Sequence, residues 1–117
     1  MNTSRFEDLI CWQKRKILSL EIYKVFRNLK DLSFRNQIER ASVSILNNIA
    51  EGFERQTNKE FKQFLYIAKG SAGEVRSMLL LAEELEYITT QETRRLVVMA
   101  EEVSKLLAGM IKNLPRL

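Results

Sequence analysis

Apolar residues recur along this chain at spacings of three and four, the period of an α-helix with one face turned inward. Phe34, Ile38, Ala41, Ile45, Ile49 and Gly52 form one such stripe. Phe61, Phe64/Leu65, Ala68, Ala72, Val75, Leu79 and Ala82 form a second, and Leu96, Ala100, Val103, Leu107, Met110 and Leu114 a third. The N-terminal segment is less tidy. Phe6, Leu9, Ile10, Ile17 and Leu20 make one stripe there, whereas Tyr23, Phe26 and Leu29 lie round toward another side. No strand-like alternation, linker or internal repeat is visible.

Helix starts punctuate the stripes. Ser4-x-x-Glu7, Thr57-x-x-Glu60 and Thr89-x-x-Glu92 match the capping box, in which hydroxyl and carboxylate satisfy each other's free backbone N–H groups. Ser33, with Asn36 three residues on, supplies a fourth cap. The single proline, Pro115, falls just beyond the last stripe. Together these signals predict helices over about 5–29, 34–55, 58–87 and 90–113. The short joining loops favour antiparallel neighbours. The reading is all-α: one domain, residues 1–117, folded as an antiparallel up-down-up-down four-helix bundle, with Ala68 and Ala72 inward and Gly70 and Gly73 at a close helix–helix approach.

Composition removes whole classes of chemistry. The 117-residue chain has no His and a single cysteine, Cys11, so disulfide frameworks, Cys/His zinc sites and His-dependent triads are excluded. A bundle di-iron site needs Glu-x-x-His on two helices, so Glu51/Glu54, Glu83/Glu84/Glu86 and Glu101/Glu102 read as solvated helix faces, an all-oxygen Mg²⁺ site being the alternative. Ala68–Gly73 lacks the Gly-Lys-Ser/Thr ending of a phosphate loop and follows no strand. No nucleophile–base pair stands out, so no enzyme and no cofactor are expected. Neither a signal peptide nor a membrane span is legible, which makes the cytoplasm the expected location.

Charge adds one direction. Nineteen basic residues against 15 acidic give +4, enough to permit an anionic partner. Lys14, Arg15, Lys16, Lys59, Lys62 and Lys69 cluster outside the apolar stripes and are the candidate nucleic-acid contacts. Trp12 and Tyr66 lie near them, a pairing of aromatic and basic residues seen on surfaces that bind nucleic acid. Trp12 also reads as a packing anchor and Cys11 as a small buried residue.

The second predicted helix carries a further pattern. Gln37, Arg40, Ser44, Asn48, Glu51 and Arg55 are spaced 3, 4, 4, 3 and 4. At about 100° per residue they fall within an arc of about 80° beside the apolar stripe. They are either the flank of an amphipathic helix or polar groups paired across a helix–helix contact, between subunits being one version.

These residues also carry a family likeness. The run QIERASVSILNNIAEGFERQTNKEFKQFLYIAKGSAGEV resembles the four-helix-bundle 23S rRNA intervening-sequence proteins, also described as ribosomal-protein-like. It rests on Gln37, Arg40-Ala41, Ser44-Ile45, Asn48-Ile49-Ala50-Glu51-Gly52 and Arg55, then Glu60-Phe61, Phe64-Leu65, Ala68, Gly70-Ser71 and Glu74. Leu9–Trp12 and Leu85-x-Tyr87-Ile88 extend it over nearly the whole chain. At Glu39, beside Arg40, many members carry a second basic residue. The resemblance implies a small bacterial cytosolic protein that forms a ring-like homopentamer without enzymatic activity. A related branch, the accessory variability determinants of diversity-generating retroelements, binds nucleic acid and a reverse transcriptase. The expected partners are therefore further copies of this chain, RNA or DNA, and a reverse transcriptase or other protein. The alternative is a protein-interaction scaffold without nucleic acid. Tyr23, Phe26, Tyr66, Leu80 and Leu81, left outside the core stripes, point away from a monomer.

Overall fold

A computed structural model describes residues 5–6 and 9–114. Four helices follow one another: α1 (Ile10–Val25), α2 (Leu32–Phe53), α3 (Asn58–Glu84) and α4 (Thr90–Asn113). Each packs on two neighbours, in the cyclic order α1, α2, α3, α4. Cross-helix contacts run in opposite senses. Lys14 meets Glu102 while Glu21 meets Arg95 across α1 and α4. Gly52 meets Phe61 and Phe64 while Ser44 meets Ser71 across α2 and α3. The bundle is antiparallel, about 47 Å long and 20 Å across.

Helix termini follow from caps. Thr57 and Thr89 accept from the N–H groups of Glu60 and Glu92 as their spacing predicts, and at Thr89 the Glu92 carboxylate returns the bond. The expected Ser4–Glu7 box lies outside the described residues, and α1 begins after Leu9 with no side-chain cap. Ser33 does not cap α2. Asp31 does: its carboxylate accepts from Phe34 N–H at 3.1 Å and from the Tyr87 hydroxyl at 2.7 Å. A charged acceptor suits the positive end of a helix better than a hydroxyl two residues further in. These bonds, Tyr87 first, hold the Asp31 carboxyl below its usual value.

α3 stops at Glu84 rather than 87. Glu86 adopts φ 61°, and Glu86 N–H bonds Glu83 O while Tyr87 N–H bonds Ala82 O. This is the two-bond Schellman ending, in which a left-handed residue turns the chain out of the helix.

The α2 and α3 stripes are buried largely as their spacing predicts, although Phe61 and Phe64 keep partial exposure. In α4, Leu96, Ala100, Val103 and Leu107 are joined in the core by Ile111. Ala68 and Ala72 face fully inward. Two expectations are corrected. Among the described residues no side chain and no other helix comes within 4 Å of where a Cβ would lie on Gly70 or Gly73, whereas at Gly52 it would meet Phe64 Cβ at 2.6 Å and Phe61 Cδ1 at 2.9 Å. The close approach is thus between α2 and α3 at Gly52. In α1 the buried residues are Cys11, Arg15, Leu18, Ser19 and Ile22, followed by Phe26 beyond its end, while Ile10, Ile17 and Leu20 are exposed. Phe26 therefore belongs to the core, packed against Phe34.

Candidate functional site

The basic triplet on α1 divides three ways because consecutive helical residues point about 100° apart. Lys14 reaches α4 and pairs with Glu102 at 2.9 Å, a bond that lowers the Glu102 carboxyl. Lys16 lies 5.8 Å over the ring of Trp12, which packs edge-on to Phe6 and against the core. Arg15 points inward. It is 1% exposed, and among the described residues none of its three guanidinium nitrogens has an oxygen or nitrogen hydrogen-bond partner, the Cys11 thiol being the polar group beside it. Burial pushes its pKa down to about 10. The expectation that Arg15 lies outside the apolar stripes is corrected. Cys11, one turn before it, is buried, and that burial raises its thiol.

The α3 lysines are placed differently. Lys59, Lys62 and Lys69 are all exposed, and among the described residues none of the three has an ion-pair partner. Lys62 and Lys69 line a groove of about 290 Å³ between α3 and α4, together with Tyr66, Ala108, Ile111 and Lys112. Three lysines and a tyrosine therefore line this groove over an apolar floor, with no carboxylate among the described residues of its lining. Lys59 stands one turn before Lys62 on the same helix. Lys112 was not among the sequence candidates. Nothing in its spacing marks it, since it reaches the groove only through the packing of α4 along α3. Other basic side chains already have acidic partners: Arg35 with Glu39, Arg55 with Glu51, Arg76 with Glu101 and Arg95 with Glu21.

The polar stripe of α2 is split by its neighbours. In the middle, Asn48 Nδ2 donates to Ser44 O at 2.8 Å and to Ser44 Oγ at 3.0 Å, and Ser44 Oγ lies 2.9 Å from Ser71 Oγ on α3. That portion is an internal α2–α3 seam. At one end Arg55 pairs with Glu51 at 2.8 Å and stacks over the Phe64 ring. At the other, Gln37 and Arg40 line an open polar groove with Ser33, Asn36 and Glu74. Glu39, beside Arg40, turns inward and accepts from Arg35 at 3.1 Å.

A second hydroxyl pair escaped the sequence reading. Ser42 Oγ donates to Glu39 O, which leaves Ser19 to donate to Ser42 across α1 and α2 at 3.1 Å. Nothing in the periodicity separates such a buried serine from an exposed one.

Among the described residues no three carboxylate or thiol groups converge as a metal ion requires. No helix is long and apolar enough to cross a membrane.

Known proteins resemble this arrangement. A crystal structure of a protein of unknown function from the S23 ribosomal protein family of Bacteroides thetaiotaomicron superposes with a TM-score of 0.83 at 30% identity, over 89% of this chain and 100% of that one. None of the curated proteins matches. The family described as 23S rRNA-intervening sequence protein matches residues 7–109. Through the same helices that bury its stripes and carry its lysine groove, this chain belongs to the 23S rRNA-intervening sequence protein family.

Proposed function

We propose that the protein is a non-enzymatic homo-oligomer, five subunits in a ring, that binds nucleic acid weakly and without sequence preference. The observation that carries this reading is the α3–α4 groove, where Lys62, Lys69 and Lys112 line one cleft with no acidic residue among the described residues of the lining. A family named for sequences within 23S rRNA supports RNA or DNA as the anion. One subunit at +4 attracts a polyanion only modestly, but a closed ring repeats the groove once per copy.

Assembly is supported by the apolar side chains the bundle leaves exposed. On α3 these include Ile67, Leu80 and Leu81, with Leu85 just past its end; on α1 they include Ile10, Ile17 and Leu20, on α2 Leu32 and on α4 Val98. Ile17 and Val98 lie between the ion pairs that join α1 to α4. Gln37 and Arg40, the part of the polar stripe for which no side-chain bond is seen among the described residues, are assigned to the subunit contact or its edge. The exposed leucines also favour a second reading, a scaffold that docks another protein, a reverse transcriptase for example, without touching nucleic acid.

Anisotropy titration with labelled RNA and DNA at about 50 mM salt separates the two. The nucleic-acid reading expects binding that weakens with salt by about 0.7–0.9 log unit per log unit of salt for each phosphate contacted. No binding to RNA or DNA at that salt would leave the scaffold reading ahead.

A further inference from the structure

We propose that the α3–α4 groove holds one nucleotide of a single strand, with the base stacked on Tyr66 and the flanking phosphates on Lys62, Lys69 and Lys112. This rests on the nucleic-acid reading above and specifies its site and its strandedness.

Tyr66 is the first observation. It is 58% exposed, and among the described residues its ring has no aromatic partner and its hydroxyl no hydrogen bond. Tyr87, by contrast, packs on Phe34 and bonds Asp31. A ring bare to solvent amid three cations is a stacking platform, because every base offers a π-face to it. The lysines supply the second observation. Lys62 and Lys69 stand four residues before and three after Tyr66, on the same face of α3. Their Cα atoms are about 10 Å apart along the axis, which leaves one ammonium on either side of the ring. Lys112 closes the groove from α4.

Shape supplies the third. Ala108 and Ile111 form an apolar floor, and the volume of about 290 Å³ is on the scale of one nucleotide. A paired base, stacked within its duplex, cannot lay its face on Tyr66. Selectivity for single strands follows.

The test is fluorescence anisotropy with a labelled single-stranded oligonucleotide, the matching duplex and polyglutamate, at about 50 mM salt. Wild-type protein should bind the single strand more tightly than the duplex. Y66A should weaken single-strand binding about tenfold, the scale of one stacked base, while Y66F keeps it. K62Q, K69Q and K112Q should each flatten the single-strand salt slope by about 0.7. K24Q and K30Q, exposed and outside the groove lining, should leave affinity and slope unchanged. All of these positions are exposed, and circular dichroism of each variant verifies its fold. Single-strand binding untouched by Y66A, or abolished by K24Q with K30Q, would overturn this site while leaving nucleic-acid binding standing. Retention of polyglutamate as tight as that of the single strand would overturn base recognition. Failure of the wild type to bind any nucleic acid would overturn both this site and the broader reading.

Discussion

Arg15 is the residue at which the pattern of the chain and the packing of the bundle part. A run of three basic residues reads as one solvated patch, yet helix geometry sends the middle one inward among Cys11, Leu18 and the α4 side chains that pack beside them. Its side chain is fully buried, and among the described residues the Cys11 thiol stands as the polar neighbour of its guanidinium. A folded pKa lowered to about 10, below that of the free group, means that burial destabilises the fold at every pH below about 10. That penalty shrinks only as pH rises above that value. Arg15→Met keeps the volume and removes the charge, so it should stabilise the protein by a few kcal/mol, on the order of 1–4. Urea denaturation at neutral pH measures this, and a lower midpoint for the variant would contradict it. Gly52 shows the opposite sensitivity. An added methyl would stand 2.6 Å from Phe64 Cβ, an atom fixed to the α3 backbone. Gly52→Ala should therefore destabilise by about 1–3 kcal/mol, despite the usual gain of about 1 kcal/mol for Ala in a helix. Its melting temperature decides the sign. The apolar stripe placed Gly52 in the core, but only the facing phenylalanines reveal why no larger residue fits.

Three of the four helices were legible because each carries one dominant apolar stripe ended by caps. α4 runs from Thr90 to Asn113, as its capping box and Pro115 predict. α1 resisted because its apolar residues are spread round the cylinder. Ile10, Ile17 and Leu20 compete with Leu18, Ile22 and Phe26, and periodicity alone cannot choose between two stripes when one includes an arginine and a serine. Hydrophobicity favoured the first, and packing against α2 and α4 selected the second. The α3–α4 turn was misjudged for a different reason. Its Schellman ending places Glu86 at φ 61°, a position that glycine usually occupies, so the chain gives no glycine signal there. Glu86→Gly relieves the left-handed strain of about 1–2 kcal/mol at some expense in unfolded-chain entropy. A net stabilisation of about 0.5–1 kcal/mol is expected. Equilibrium denaturation measures it, and a loss of stability would show that the Glu86 side chain contributes more than its backbone strain removes.

At the scale of the whole molecule, the core contributed by α2, α3 and α4 is legible in the sequence, and the surface only partly so. Lys62 and Lys69 could be named from charge and spacing, whereas Lys112 joins them only because α4 runs back along α3. The exposed apolar side chains form the other half of the picture. Leu80, Leu81 and Leu85 lie toward the C-terminal end of α3, and Lys62, Tyr66 and Lys69 toward its N-terminal end, so one helix presents an apolar region and a cationic region in succession. Assembly through the first would repeat the second around a ring. The proposed function thus depends on copies coming together before any nucleic acid is bound. Multi-angle light scattering of the purified protein at micromolar concentration tests this most directly. A mass five times that of the 13.7 kDa chain is expected, and a mass of 13.7 kDa at that concentration would contradict it.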